Sequence, residues 1–294
     1  MHERATERLH PAAEGLDLLS DHEILQRLHA GQSEALTSVL GAAREIAEGA
    51  RLMAETLRAG GALVYAGAGS SALMAMADAL ELAGTFGLSP QSVRVLMAGG
   101  MPTDAEMPGT CEDDTAAGER AGRGIRRGDA LVVVTASGAT PYACALARAA
   151  RAKGARTICI ANNAGAPVFD HATIAVCLPT PPELVAGSTR MGAGTAQKAA
   201  LNMMSTLMAI RLGHVHDGLM VNLRADNEKL RRRAVGIVSR ISGMPEARAD
   251  DCLEAASGRV KPAVLLACGA TSIDQAEALL SDTQDHLRAA LGRL

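Results

Sequence analysis

Residues 60–74 read GGALVYAGAGSSALM, and residues 128–142 read GDALVVVTASGATPY. In each stretch an apolar run with no polar alternation meets glycine and hydroxyl side chains abruptly. A continuous apolar run marks a strand buried on both faces, as in a parallel sheet covered by helices. Glycine permits a tight turn after such a strand, and Ser or Thr caps the helix that follows. The reading is strand, turn, helix, made twice.

Working outward, SVRVLMAGG (92–100), ARTICIAN (155–162) and TIAVCLP (173–179) supply further strands. Between them the apolar spacing predicts helices from Ser71 to about Ala83, from about 113 to 127, and from Pro141 to Lys153. A Met- and Ala-rich helix is expected from Gly194 to Leu212. One long helix is expected over 20–59, opened by a Ser20–Glu23 capping box and stopped by Gly60-Gly61. The remainder, from about 225, reads as helices broken near Gly243-Met244-Pro245 and Gly269. The fold class is α/β: a three-layer αβα sandwich on a parallel sheet. Its expected organisation is a helical N-terminal segment (1–50), a central α/β domain (51–235) and a small helical C-terminal domain (236–294).

Composition narrows the function classes. The 294 residues carry a net charge of −3, and the only aromatics are two Tyr and two Phe. That leaves neither a basic footprint nor a stacking platform for nucleic acid. Six cysteines without a CxxC pair read as reduced thiols, and no apolar run reaches membrane-spanning length. The expectation is a cytoplasmic protein without membrane or nucleic-acid partners. His214 and His216 lack companion ligands, so no metal and no cofactor is expected.

In an open parallel sheet, ligands sit beyond the carboxyl ends of the strands, against helix N-termini that favour anions. Gly69-Ser70-Ser71 and Ser137-Gly138-Ala139-Thr140 have that chemistry, and two such loops in one sheet point to a phosphate-sized ligand. A dinucleotide is the rival, since residues 67–72 fit G-x-G-x-x-[GA]. It requires an acid at the end of the next strand, where LMAGGMP has none. A Walker loop is absent too.

GSTRMGAGTAQK (187–198), LNMMST (201–206), LMVNLRADNEKL (219–230), ASGATPY and DALELAGTFG (78–87) together resemble the N-acetylmuramic acid 6-phosphate etherase family of sugar-isomerase (SIS) domain proteins. The resemblance runs from Thr6-Glu7 and LDLLSDHEIL to the helical tail, and makes 51–235 the SIS domain. It implies cleavage of the C3 lactyl ether by elimination and hydration, through the open-chain aldehyde, to give N-acetylglucosamine 6-phosphate and D-lactate. It implies Glu81 and Glu112 as the acid/base pair, without deciding which attacks C2. It places the sugar phosphate on Gly69, Ser70, Ser71, Ser137, Gly138, Thr140, Ser188 and Thr189, and it implies a homodimer with sites near the interface.

The chain departs from the family pattern where cations are expected: Leu73, Ala139 and Gly192 stand in place of Arg, Arg and Lys. Each lost charge-assisted contact is worth about 1.5–3 kcal/mol. An altered sugar-phosphate preference is therefore expected. The alternatives are a non-catalytic sensor of sugar phosphates and an aldose–ketose isomerase, which shares the C2 proton chemistry but releases nothing.

Overall fold

The computed structural model describes residues 5–105, 107, 109–223 and 227–294. Glu106 and Pro108 of the acidic loop, and residues 224–226 of LMVNLRADNEKL, lie outside the described residues. Five parallel strands form the main sheet: β1 (Leu63–Gly67), β2 (Val93–Met97), β3 (Ala130–Thr135), β4 (Arg156–Ala161) and β5 (Ile174–Cys177). Their order is β2-β1-β3-β4-β5. Gly67 at the end of β1 pairs with Met97 on one side and Val134 on the other.

The chain steps outward from β1 to β2 and then returns to the far side for β3. The strand order therefore reverses between β1 and β3, where the connections after the two strands diverge and leave a crevice. The two quoted turns flank that point.

Both faces of the sheet are covered, which is why the strands read as unbroken apolar runs. Val64, Ala66, Leu131, Val133, Cys159 and Ala161 pack with Tyr142, Leu146 and Ala150 of α5 (Pro141–Ala152). The alternate residues Leu63, Tyr65, Val132, Val134, Ile158 and Ile160 are equally buried, and α2 (Ala43–Arg58) lies against β1, β3 and β5. At the amino ends Asp129 accepts from the amides of Ala62 and Arg126, both at 3.0 Å, and from Arg94 at 2.7 Å.

Several boundaries differ from those expected. The single helix over 20–59 is two, α1 (Asp21–Gly41) and α2, with Ala42 between them at φ −103°, ψ 16°. The buried stripe Ala35, Val39, Ala42, Ile46, Ala50, Met53 continues through the break, so periodicity carried no sign of it. The Ser20–Glu23 capping box opens α1 as expected. Helix α3 runs Gly69–Phe86, longer at both ends than the expected 71–83. Helix α4 (Thr115–Arg123) is shorter than the expected 113–127, because Gly122 and Gly124 are poor helix formers at its end. Helix α6 covers Gly192–Arg211. A small hairpin, β6 (Val215–His216) with β7 (Leu219–Met220), follows α6. Asp217 and Gly218 both have positive φ (47° and 76°), the Asp-Gly pair of a two-residue hairpin turn.

The described chain divides into two compact units. One holds residues up to Ala79 and Pro90–Ser205; the other holds Leu80–Ser89 and Thr206–Leu294. The second unit contains the hairpin and five helices: α7 (Glu228–Ser242), α8 (Glu246–Ala255), α9 (Val260–Ala267), α10 (Ile273–Asp282) and α11 (Leu287–Leu291). Asn227 and Ser272 cap α7 and α10, and Gly243 in the left-handed region ends α7. Its own core includes Ala234, Val238, Leu253, Val264 and Leu265.

Candidate active site

The turn after β1 leads directly into α3, whose first residue, Gly69, has φ +52°. A Cβ built there would lie 2.5 Å from Oε1 of Glu112, so the carboxyl rests on the bare Cα of that glycine. Glu112 is delivered by a short 3-10 turn, Gly109–Asp113. Both residues line a cleft of about 230 Å³ at the carboxyl ends of β1 and β2, with Gly99, Met101, Thr103 and Asp104. Burial, and then the neighbouring Asp113 carboxylate, push the Glu112 carboxyl above the usual carboxylate range. The three acids of Cys111-Glu112-Asp113-Asp114 are thus used differently: Asp114 caps α4 by accepting from Ala117 N–H at 2.8 Å, and Asp113 is exposed.

The turn after β3 is closed on itself. The Gly138 amide donates to Thr135 Oγ1 at 3.2 Å, and the Ala139 amide to Ser137 Oγ at 3.2 Å. Thr135 and Thr140 share a hydroxyl bond of 3.0 Å. Gly138 has φ +71°, and a Cβ there would meet Ala166 Cβ at 2.2 Å, so only glycine fits. Asn163, buried at the end of β4, donates to Ala136 O at 3.1 Å and accepts from the Ala5 amide at 2.9 Å. Buried Thr6 accepts from the same Asn163 at 3.3 Å. The N-terminal turn Ala5–Glu7 is thereby fastened beside this loop.

Of the residues expected at the site, the structure brings Gly69 and Glu112 together, with Ser70 and buried Ser71 in the first turn of α3. Ser137, Gly138 and Thr140 form the second group. Ser188 and Thr189 stand in a separate turn, where the Thr189 carbonyl accepts from the Gly194 amide at 2.8 Å. Among the described residues, no hydrogen bond joins that turn to the two loops. Glu81 is exposed on α3, one helical turn beyond Asp78.

Position 192 is explained by packing. A Cβ at Gly192 would lie 3.0 Å from Ala35 Cβ and 3.1 Å from Glu183 Oε2. Glu183, itself buried, accepts from the Gly192 and Ala193 amides at 2.9 Å each and so caps α6. A side chain here would have to push Ala35 or Glu183 aside by a few tenths of an ångström, and that helix terminus already holds its anion. Leu73 and Ala139 are half-buried.

Sequence reading assigned no role to Asp78, although it stands in DALELAGTFG. It is buried, and accepts from Tyr65 OH at 2.9 Å, Asn202 Nδ2 at 2.7 Å and Ser205 Oγ at 2.9 Å. Three donors make a buried carboxylate tolerable. They tie β1, α3 and α6 behind the first loop, and burial followed by Asp78 raises the Tyr65 phenol well above its ordinary range. Lys198 donates to Asn202 Oδ1 from one turn earlier on α6. His214 is buried and His216 lies on β6, 3.6 Å from Asp217. Among the described residues no group of three His, Cys, Asp or Glu side chains gathers as a metal site, and no helix is long and apolar enough to cross a membrane.

Comparison with known proteins supplies independent findings. Residues 31–162 match the SIS domain family. The N-acetylmuramic acid 6-phosphate etherase of Deinococcus radiodurans is 38% identical over 291 residues, covering 98% of this chain and 95% of that protein. The etherase of Streptomyces avermitilis is 38% identical over 288 residues (97% and 93%). That of Symbiobacterium thermophilum is 40% identical over 252 residues (85% and 84%). Among solved structures, a putative phosphosugar isomerase of Bacteroides fragilis superposes with a TM-score of 0.50 at 18% identity, over 68% of this chain and 95% of that one. An Escherichia coli CFT073 protein solved in complex with A5P does so at 0.50 and 13% identity, over 68% and 97%. These two likenesses concern the fold.

Proposed function

The chain belongs to the N-acetylmuramic acid 6-phosphate etherase family, and on that premise we propose that it is a carbon–oxygen lyase cleaving the C3 lactyl ether of that sugar phosphate. One carboxylate takes the C2 proton of the open-chain aldehyde while the other protonates the departing ether oxygen. The C3–O bond breaks, D-lactate leaves, and a double bond forms between C2 and C3. Water then adds at C3 and a proton returns to C2, the same pair exchanging roles, to give N-acetylglucosamine 6-phosphate. Glu81 and Glu112 are the pair. The observation that carries this reading is the half-buried Glu112 carboxyl, resting on Gly69 in the cleft with its proton affinity raised. A carboxyl held above its usual range is suited to both halves of a proton exchange.

The phosphate sits against the two loops at the strand-order reversal, on Ser70, Ser71, Ser137, Gly138 and Thr140, with Ser188 and Thr189 completing the site. Without the family's cations at 73 and 139 its hold is weaker, and the preference among sugar phosphates is shifted accordingly. The reaction belongs to amino-sugar metabolism and cell wall recycling. We place the protein in the cytoplasm, in keeping with six cysteines that form no disulfide. A homodimer is supported by Leu25, Leu36 and Leu40, which recur on one face of α1 and are 64%, 45% and 73% exposed; light scattering at twice the chain mass is expected.

Running the reaction in heavy water tests the chemistry. The N-acetylglucosamine 6-phosphate formed should carry deuterium at C2. Lactate release with the original hydrogen retained at C2 would overturn elimination.

A further inference from the structure

The second unit holds a cavity of about 500 Å³, larger than the cleft at Gly69 and within the range of small-molecule sites. Part of its lining is apolar, with Val221, Leu223, Pro262 and Leu280. The rest is hydrogen-bonding. Lys261 lies there only 3% exposed, in the first turn of α9, and donates to the Asp285 carbonyl at 3.0 Å and to the Asp285 carboxylate. Burial pulls its proton affinity down against the opposing pull of Asp285. Nearer to solvent, Arg259 donates to Glu277 at 2.5 Å.

The segment that closes this lining is held in an unusual conformation. Gln284 and Asp285 have φ of 53° and 65°, consecutive non-glycine residues in the left-handed region. Such residues persist only where their surroundings hold them. Here the Asp285 amide is fixed to Leu280 O at 2.7 Å, and its carbonyl and carboxylate to Lys261. The result is that Gln284, Asp285 and Ser281 line the cavity.

The lining also selects the ligand. Among the described lining residues the two cations, Arg259 and Lys261, are each matched by a carboxylate, so a charged ligand finds no uncompensated charge there. A neutral hydroxyl needs none: it donates to a carboxylate lone pair and accepts from an amide or guanidinium. A pyranose adds C–H groups for the apolar part of the lining. We propose that this cavity is a second ligand site, for a neutral, unphosphorylated sugar. The proposal stands apart from the catalytic reading, since it uses none of those residues.

Saturation-transfer NMR on the full chain tests it, with N-acetylglucosamine and inorganic phosphate as separate probes. Ser281 and Gln284 are exposed, so substitutions there leave the Lys261–Asp285 pair intact. Transfer to N-acetylglucosamine is expected in the wild type. It should vanish in Ser281→Trp, which obstructs the cavity with an indole, and fall several-fold in Gln284→Ala. Lactate release and thermal unfolding should be unchanged. If Ser281→Trp fails to fold, Gln284→Ala decides. Absence of transfer in the wild type, transfer that survives both substitutions, or a preference for phosphate that Ser281→Trp abolishes would each overturn the proposal.

Discussion

After β1 the chain turns through Gly69, Ser70 and Ser71 beneath a half-buried carboxyl, whereas after β3 it turns through Ser137, Gly138, Ala139 and Thr140 and bonds to its own hydroxyls. Both turns begin at adjacent, paired strands and lead into helices. Their residue types are nearly interchangeable, yet one meets the Glu112 carboxyl, proposed to do the proton chemistry, and the other is a preformed frame. Glycine and hydroxyl composition specifies the turn; what packs on it decides what the turn does. Glu112 arrives at the first loop from 43 positions further along the chain, while Asn163 and the N-terminal turn hold the second.

The contrast breaks most sharply at Glu112. Glu112→Gln keeps the shape and removes the titrating group, so turnover should fall by about 10²–10⁴ while the melting temperature stays near wild type. Lactate release and calorimetry measure the two. The equivalent insult to the second loop should act on folding instead. Gly138→Ala combines a left-handed backbone with a 2.2 Å clash against Ala166, and should destabilise by about 2–5 kcal/mol in denaturant titrations.

Gly69→Ala sharpens the comparison. Its Cβ meets the movable end of Glu112, so the carboxyl swings away. We expect a stability loss of about 1–2 kcal/mol from the backbone alone, with turnover reduced far more than that loss explains. Thr135→Val leaves the Gly138 amide without its acceptor and should cost about 1–3 kcal/mol of stability, together with a raised KM for the sugar phosphate. The smallest effect is expected from Asp113→Asn. Asp113 is the second cause of the raised Glu112 pKa, so removing its charge lets the proton leave at lower pH. The limb of the pH–rate profile governed by Glu112 should move to lower pH by less than about one unit.

The sheet and its two turns were legible because a strand buried on both faces leaves an unbroken apolar run, and glycine with hydroxyls then marks its end. The interruption at Ala42 was not, since the buried stripe passes through it in phase. Glu112 in an acidic loop reads as a solvated carboxylate from sequence alone, and only the family resemblance singled it out. The buried Asp78 had no local signal: Tyr65, Asn202 and Ser205 lie 13, 124 and 127 positions away. Gly192 reads as a lost cation, and in three dimensions proves to be a tightly packed position against Ala35 and Glu183.

The central claim is that the acid resting on Gly69 does proton chemistry on N-acetylmuramic acid 6-phosphate. D-lactate release from that compound, measured side by side for the wild type and Glu112→Gln, tests it most directly. The wild type should release lactate and N-acetylglucosamine 6-phosphate in equal amounts, and the folded variant should release lactate at least about 100-fold more slowly. A folded wild type that releases none, or a variant that keeps wild-type turnover, would contradict the account.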